Sequence, residues 1–255
     1  MPANANNIQL ARKLQCCVIV PTYNNSHTLQ TVIDDVLHYV ADVIIVNDGA
    51  TDTTADILAS NSAVTVIGYQ PNRGKGYALK QGFKRASTMG FRYAITIDSD
   101  GQHLGSDIAV FLDKIQQCPD SLIVGSRLLN QENMPYGNTF ANKFSNFWYR
   151  LQTGINLPDT QSGFRLYPLY KFARMHFITN RYEAELEMLV RAAWRGINVC
   201  DVEISVYYPP LNERVSHFHP FWDFFRISVL NTFFTILALV YAYPVKWISR
   251  LFRIG

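Results

Sequence analysis

The stretch YAITIDSDGQH, residues 93–103, joins an apolar run to a cluster of polar side chains. The YAITID segment is too short for a buried helix and contains β-branched residues, which predicts a buried strand. Asp98, Ser99 and Asp100 stand at the end of that run. In an extended segment, residues two apart point the same way, so both carboxylates can converge. The stretch therefore predicts a strand that ends in a pair of acidic side chains.

Similar apolar runs alternate with helical patterns on both sides of this stretch. The runs are CCVIV (16–20), VIIVN (43–47), VTVIG (64–68) and SLIVGS (121–126). Helix-like spacing occupies 28–39, 53–60, 76–89, 106–117, 138–152 and 181–195, and 197–207 is typical of a strand. This alternation predicts an α/β fold with a mostly parallel central sheet and helices on both faces.

Polar residues cluster directly after three of the predicted strands. The clusters are Pro21-Thr22-Tyr23-Asn24-Asn25, Asn47-Asp48-Gly49 and Asp98-Ser99-Asp100. Each cluster alone is also typical of a turn, because Asn, Asp, Gly and Pro favour turns. In open α/β sheets, however, ligands bind beyond the carboxyl ends of the strands. Three clusters at one edge therefore predict a ligand site.

The carboxylates of Asp98 and Asp100 indicate the kind of ligand. Two carboxylates placed together repel each other unless a cation or a proton lies between them. A hard divalent cation, Mg²⁺ or Mn²⁺, takes oxygen ligands and stabilises the charge on a diphosphate leaving group. Asp-x-Asp triplets are common in loops, and it is the position after an apolar strand that predicts a metal site here.

Composition and charge narrow the class of protein. The 255 residues are 48% hydrophobic and 17% charged, which indicates a globular chain, and the net charge of +3 is too small to predict nucleic acid as a partner. The cysteines form no CxxC pair, which argues against a disulfide framework or a zinc site and favours a reducing compartment. Residues 1–15 lack the apolar core of a signal peptide, so we expect the body of the protein to stay in the cytoplasm.

The predicted strands and the polar clusters that follow them resemble, over residues 17–208, the family 2 glycosyltransferases, which have the GT-A fold. The resemblance is carried by IVPTYNN (19–25), VNDGATD (46–52), NRGKGYAL (72–79) and DSDGQH (98–103). It implies a nucleotide-sugar donor surrounded by Pro21, Tyr23, Asn24, Asn25, Asp48, Lys75, Asp98 and Ser99. It also implies a metal site formed by Asp98, Asp100 and Gln102. Asn25 stands where the family usually has Glu, and Asn47 where it usually has Asp, so neither the base nor the sugar is predicted.

The second half of the chain looks like the polyprenyl-phosphate-sugar synthases, of which dolichyl-phosphate mannose synthase is the best-known example. The segments concerned are GSR (125–127), DTQSGFRLYP (159–168), YEAELEMLVRAAWRG (182–196) and ERVSHF (213–218). This resemblance implies a lipid monophosphate acceptor. Because the second pKa of a phosphate is about 6, such an acceptor needs cations to hold it rather than a strong base. The candidates are Arg127, Arg165 and Arg214, with His217 where the family usually has a lysine.

Several of these residues also allow a structural interpretation. An arginine after a strand is often a surface ion-pair partner. We expect Asp159 to orient the acceptor, or to act as a base if the acceptor is a hydroxyl. Glu185 and Glu187 are expected to be solvated helix carboxylates with a weaker connection to the site, and His103 is expected to close a turn.

Residues 227–243 form a C-terminal apolar segment that carries no charge. As a helix at ~1.5 Å per residue it would be about 25 Å long, which is marginal against a hydrocarbon core of ~30 Å. The flanking aromatic residues and the basic tail of Lys246, Arg250 and Arg253 favour a membrane interface over a buried core helix. One full span would export that basic tail, which opposes the tendency of positive residues to stay on the cytoplasmic side. We therefore expect the helix to lie in, or dip into, the cytoplasmic leaflet.

The predicted organisation is an N-terminal extension (1–15), a GT-A catalytic domain (16–210), and an acceptor-side loop with a membrane-associated helix (211–255). The predicted activity is metal-dependent, inverting sugar transfer to a polyprenyl phosphate at the cytoplasmic face of a membrane, expected to be a bacterial inner membrane. Three alternatives stay open: a hydroxyl acceptor on a glycan or lipid, a sugar-phosphate nucleotidyltransferase, and a non-catalytic membrane adaptor. The PTYNN segment (21–25) is not the Gly-rich loop expected of a nucleotidyltransferase. The oligomeric state is not predicted.

Overall fold

The computed structural model of the chain describes residues 4–127, 136–207 and 220–245. Within them lies a seven-stranded sheet of order β3-β2-β1-β4-β6-β5-β7. The strands are β1 (Cys16–Thr22), β2 (Val43–Asn47), β3 (Thr65–Gly68), β4 (Tyr93–Thr96), β5 (Leu122–Arg127), β6 (Arg165–Pro168) and β7 (Val199–Ile204).

Alternate residues of β1 enter two hydrophobic clusters, one on each face of the sheet. Cys17 and Ile19 belong to the first cluster, whereas Cys16, Val18 and Val20 belong to the second, and none is more than 1% exposed. A strand covered on both faces needs apolar side chains in both directions, which is why these strands are continuous apolar runs. The predicted α/β fold with a mostly parallel sheet is confirmed.

Helices cover both clusters. They are α1 (Ala5–Leu14), α2 (Ser26–Leu37), α3 (Thr54–Ala59), α4 (Lys75–Thr88), α5 (Ile108–Gln117), α6 (Tyr136–Thr153), α7 (Leu169–Phe172), α8 (Glu183–Trp194) and α9 (Pro220–Leu237). Residues of α4 and α8 contribute to the first cluster, and residues of α1, α2 and α5 to the second. The N-terminal extension therefore adds to the core through α1, where Ala11 is 2% exposed.

Among the seven described strands, β6 is the one that runs antiparallel to its neighbours, and the sequence did not predict it. It lies between β4 and β5, with Thr96 opposite Arg165 and Val124 opposite Arg165. Because β6 runs against both neighbours, it begins at the edge where β4 and β5 end. The loop that precedes β6 is thereby brought to the same edge as Asp98.

α9 continues through a π-helical turn (Ala238–Ala242), and Trp222–Val245 forms one helical stretch of 24 residues that is long and apolar enough to cross a membrane. One face of this stretch, including Leu230, Phe234 and Ala238, is buried against the protein. Only 22% of an apolar 18-residue part of this stretch is buried against the described protein, which is not typical of a core helix.

Candidate active site

The loops after β1 and β2 are joined by side-chain hydrogen bonds. Asn24 has a left-handed φ of 50°, and its Oδ1 accepts a hydrogen bond of 2.8 Å from the backbone N–H of Thr51. In the opposite direction, Asp52 Oδ2 accepts from the backbone N–H of Ser26 at 3.1 Å. The two predicted polar clusters thus form one connected surface at the edge of the sheet.

Asp48 organises the loop that leads into α4. Its carboxylate is 3% exposed and accepts from the backbone N–H groups of Arg73 and Gly74, both at 2.8 Å, and from Asn72 Nδ2 at 2.9 Å. A Cβ on Gly49 would lie 2.5 Å from the backbone nitrogen of Asn72, so this loop needs a glycine there. Asp48 therefore fixes the loop at 72–74, directly before α4.

The two departures from the family pattern have different roles in the structure. Asn47 Oδ1 accepts from the backbone N–H of Ala50 at 2.9 Å, so Asn47 closes the turn after β2. Asn25 Nδ2 donates to Ser99 Oγ at 2.6 Å, while Asn25 Oδ1 is buried without a hydrogen-bond partner. Asn25 therefore ties the first loop to the segment between the two aspartates. Of the other residues predicted to contact the nucleotide, Pro21 is buried within β1 and Tyr23 is half-buried just beyond its end.

Lys75, at the start of α4, lies between two carboxylates. Its Nζ is 2.7 Å from Asp98 Oδ1 and 3.0 Å from Glu185 Oε2, and its side chain is 15% exposed. Burial alone would lower the pKa of Lys75, but the charges of Asp98 and Glu185 outweigh burial and raise it. For Asp98 burial acts to raise the pKa, and the Lys75 charge reverses the direction and lowers it. Both groups are therefore charged at neutral pH.

Gly163 closes against this ion pair. A Cβ at Gly163 would lie 2.6 Å from Lys75 Nζ and 2.7 Å from Asp98 Oδ2. The backbone at this position can approach the pair because it carries no side chain. The sequence pattern did not single out Gly163, because a glycine in a polar loop is most often a turn residue.

Asp100 is the second carboxylate of the triplet. Burial, and then the charge of Asp98, raise the pKa of Asp100 to about 6. Its Oδ1 accepts from the backbone N–H of Gln102 at 3.0 Å. Within the described ranges no three His, Cys, Asp or Glu side chains gather into a metal-binding group. The carboxylates of Asp98 and Asp100 are oxygen ligands of the kind that a hard divalent cation takes.

Arg127 and Asp159 form a tightly held pair at the end of β5. Arg127 Nε and Nη2 donate to the two carboxylate oxygens at 2.6 and 3.1 Å. Asn142 Nδ2, from α6, donates to the same carboxylate at 2.6 Å. Asp159 is 0% exposed; burial would raise its pKa, but its hydrogen bonds with Arg127 and the Arg127 charge lower it. A carboxylate in this state fits the expected orienting role and does not fit a general base.

Arg165 has a different position from the one we expected. It is 0% exposed, and its guanidinium donates to the backbone carbonyls of Ser162 (2.7 Å), Glu185 (2.7 Å) and Thr160 (2.9 Å). The prediction that Arg165 holds the acceptor phosphate does not fit this geometry. Arg165 instead fastens the 160–162 loop to α8, because all three of its nitrogen groups are used by backbone oxygens.

The expectation of solvated carboxylates on α8 was wrong. Glu187 is 0% exposed and accepts from the backbone N–H groups of Ile178 and Thr179 at 3.0 and 2.8 Å, with Arg191 Nε at 2.7 Å. Glu185 is 7% exposed and pairs with Lys75. Helical spacing in the sequence could not show this, because it does not reveal that the backbone at 178–179 turns back onto Glu187 or that Lys75 lies beside Glu185.

His103 lies beside the site without belonging to a metal group. Its ring is 8% exposed and 5.2 Å from the ring of Phe164, and its backbone pairs with Val206. Burial lowers the pKa of His103 to about 4, so its ring is neutral at physiological pH. The two remaining predicted residues, Arg214 and His217, lie outside the described residues.

This geometry defines a class. An α/β sheet whose carboxyl edge presents a strand-terminal Asp-x-Asp pair and a lysine is the arrangement that the resemblance to the GT-A glycosyltransferases predicts. The family model for glycosyl transferase family 2 matches residues 17–174, and the chain belongs to this family.

Proteins with a similar sequence indicate the subclass within this family. The chain is 30% identical, over 75% of its length and 85% of the other protein, to UDP-N-acetylglucosamine--dolichyl-phosphate N-acetylglucosaminyltransferase of Methanococcus voltae. It is 27% identical, over 74% of its length and 76% of the other, to polyprenol monophosphomannose synthase of Mycolicibacterium smegmatis. The predicted similarity to polyprenyl-phosphate sugar transferases is confirmed.

A solved structure confirms the fold. Glucosyl-3-phosphoglycerate synthase from Mycobacterium tuberculosis, in complex with Mn²⁺, UDP and phosphoglyceric acid, superposes with a TM-score of 0.67 at 18% identity. The match covers 93% of this chain and 82% of that one. At this identity the likeness concerns the fold alone.

Proposed function

We propose that the chain transfers a sugar from a nucleoside-diphosphate sugar to a polyprenyl phosphate, with inversion, at the cytoplasmic face of a membrane. The observation that carries this proposal is the state of Asp159 and Glu185, the two carboxylates that a hydroxyl acceptor would require as a base. Asp159 is paired with Arg127, and Glu185 is paired with Lys75. A hydroxyl acceptor needs a base to remove its proton, whereas a phosphate is already largely a dianion. Carboxylates committed to cations therefore favour a phosphate acceptor over a hydroxyl.

On the donor side, the proposal gives Asp98 and Asp100, with Gln102 beside them, the task of holding Mg²⁺ or Mn²⁺. The donor set fits a hard cation, because both groups offer carboxylate oxygens, and burial together with the charge of Asp98 raises the pKa of Asp100. When bound, such a cation neutralises the charge of the departing diphosphate. Lys75 adds a second positive charge at the same place, and the loop fixed by Asp48 lies on the nucleotide side.

On the acceptor side, Arg127 is the described residue best placed to bind a phosphate. It is the last residue of β5, Asp98 follows β4, and β6 begins between these two strands. Asp159 fixes the Arg127 guanidinium through the ion pair, and the Arg127 side chain is 16% exposed. Arg214 and His217 remain candidates for the same phosphate. The lipid phosphate oxygen attacks the anomeric carbon as the bond from that carbon to the diphosphate oxygen breaks, and the electron pair leaves with the nucleoside diphosphate.

The membrane location rests on the acceptor and on the C-terminal helix. Relatives named for dolichyl, polyprenol and undecaprenyl phosphates act on lipid-borne groups. The exposed apolar helix at Trp222–Val245 supplies a surface that such a lipid environment would cover. The cytoplasmic face fits a charged, water-soluble donor, which does not cross a bilayer unaided, and the four cysteines, all unpaired.

The test is transfer of label from a panel of UDP- and GDP-sugars onto polyprenyl phosphate in detergent, with Mg²⁺ or Mn²⁺. A labelled lipid that mild acid releases would support the proposal and identify the donor. The matched control is the corresponding polyprenol, which lacks the phosphate and should accept no sugar. Label on the polyprenol, or donor hydrolysis without a lipid product, would move the acceptor to a hydroxyl.

A further inference from the structure

The short segment at 177–180 is held by charged side chains from both α4 and α8. From α4, Lys80 Nζ donates to the carbonyl of Thr179 at 2.9 Å and to Asn180 Oδ1 at 2.6 Å. From α8, Glu187 Oε2 accepts from the backbone N–H of Thr179 at 2.8 Å and from its Oγ1 at 2.6 Å. A cation therefore binds the oxygens of this segment, while an anion binds its N–H and O–H groups.

The same segment supports the first turn of α4. The carbonyl of Asn180 accepts a hydrogen bond from the backbone N–H of Tyr77 at 2.9 Å. A Cβ on Gly74 would lie 2.7 Å from that carbonyl oxygen, and a Cβ on Gly76 would lie 3.0 Å from the carbonyl carbon. The first turn of α4 is thus in close contact with residue 180. Lys75 stands between the two glycines, so the place of its backbone depends on where residue 180 lies.

Two links between α4 and α8 result, about one and a half helical turns apart along α4. The first link is direct, because Lys75 Nζ is 3.0 Å from Glu185 Oε2. The second link is indirect, because Lys80 and Glu187 bind the carbonyl and the N–H of the same residue, Thr179. The second link holds the two helices at the spacing at which the first link forms.

We infer that Lys80 and Glu187 are positioning residues that set where Lys75 meets the donor diphosphate. Neither is assigned a contact with a substrate, since both act through the 177–180 segment and the first turn of α4. The inference rests on the proposed function only in giving Lys75 the diphosphate as its partner. A shift of the segment would move Lys75 Nζ away from its place 2.7 Å from Asp98. Because Coulomb energy falls with distance, a displaced ammonium group binds a diphosphate less tightly.

The experiment measures the binding of UDP and of GDP to the full chain by calorimetry, with Mn²⁺ and without lipid. Lys80→Met keeps the length of the side chain and removes its ammonium group. It should weaken binding of the nucleotide that the wild type prefers by about tenfold, the effect of one lost charge-assisted hydrogen bond. Lys80→Arg keeps the charge and should lose less than about threefold. The matched control is Lys84→Met, an exposed position one turn further along α4, which should bind as the wild type does.

A double-mutant cycle tests whether the effect passes through Lys75. In a Lys75→Gln background the positioned group is gone, so adding Lys80→Met should weaken nucleotide binding by less than about twofold more. An effect that does not pass through Lys75 would give the same loss in both backgrounds. Hydrogen exchange supplies a second measurement, which needs no nucleotide. The amides of Ile178 and Thr179 should exchange faster in Lys80→Met, because Glu187 alone then holds the segment.

The outcomes separate this inference from the proposed function. Wild-type nucleotide binding by Lys80→Met would overturn the inference, and so would an equal loss in Lys84→Met or equal losses in the two backgrounds of the cycle. Unchanged exchange at 178–179 would also overturn it, because the segment would then not depend on Lys80. A chain that shows every expected binding change but labels polyprenol instead of polyprenyl phosphate would refute the proposed acceptor and leave the positioning role intact.

Discussion

Replacing Gly163 with alanine tests the central ion pair with a single methyl group. The Cβ would lie 2.6 Å from Lys75 Nζ and 2.7 Å from Asp98 Oδ2, whereas ordinary contacts begin near 3.4 Å. Both atoms are the ends of side chains, so they can retreat while the backbone stays in place. A retreat of about 1 Å at a reacting centre costs on the order of 10²-fold in rate.

The fold should tolerate this change. Gly163 does not occupy the left-handed region, so alanine fits its backbone, and the loss of flexibility in the unfolded chain offsets part of the strain. We therefore expect the free energy of unfolding to change by no more than about 1 kcal/mol while kcat falls about 100-fold. Thermal melting and initial rates of lipid glycosylation measure the two effects separately.

The matched control is Gly68→Ala, whose Cβ would make an ordinary 3.4 Å contact with Asn47 Cβ. It should keep both melting temperature and rate. If Gly163→Ala retained a rate within about threefold of the wild type, the tight approach to Lys75 and Asp98 would not matter for turnover. A fall of both variants together would instead indicate a general sensitivity to glycine replacement.

Three further predictions follow from the buried charges. Asp100→Asn should abolish transfer yet raise the melting temperature of the metal-free protein at about pH 7.5. The reason is that the pKa of Asp100 is raised to about 6, so the wild-type folded state loses stability as pH rises through that value. The difference in melting temperature between variant and wild type should disappear below about pH 4, where Asp100 is protonated in both the folded and the unfolded state. Asp159→Asn should raise the acceptor KM more than the donor KM, because Arg127 loses its carboxylate; equal changes in both constants would argue against an acceptor-side role. Glu187→Gln should lower the free energy of unfolding by about 2–3 kcal/mol, measured as a lower urea midpoint, because the backbone N–H groups of Ile178 and Thr179 lose their charged acceptor. An unchanged midpoint would show that these two hydrogen bonds do not contribute to stability.

Sequence patterns predicted those parts of the structure that depend on local order. β1, β2, β4 and β5 were located from apolar runs, because strands buried on both faces leave a continuous signal. The polar clusters after these strands could also be predicted to lie together, since parallel strands end at one edge of the sheet.

The parts that escaped prediction depend on pairing between distant segments. β6 spans four residues and ends in proline, which leaves no periodic pattern to detect. The burial of Arg165 follows from its bonds to the 160–162 loop and to α8, and the sequence does not show that these segments meet. Asn142 and Asn146 were missed for the same reason, because polar residues on a helix usually face water.

The reversed direction of β6 also affects how the enzyme can diversify. Donor-side loops come from the first half of the chain, and the segment that holds Arg127 comes from the second, with the seam running between β4 and β6. Under the proposed function, mutations in the second half would reshape the acceptor side and leave the loops after β1 and β2 in place, but Gly163 and Glu185 tie that half to Lys75 and Asp98. The two halves are therefore joined at this seam, and a change at Gly163 or Glu185 would affect both substrates at once.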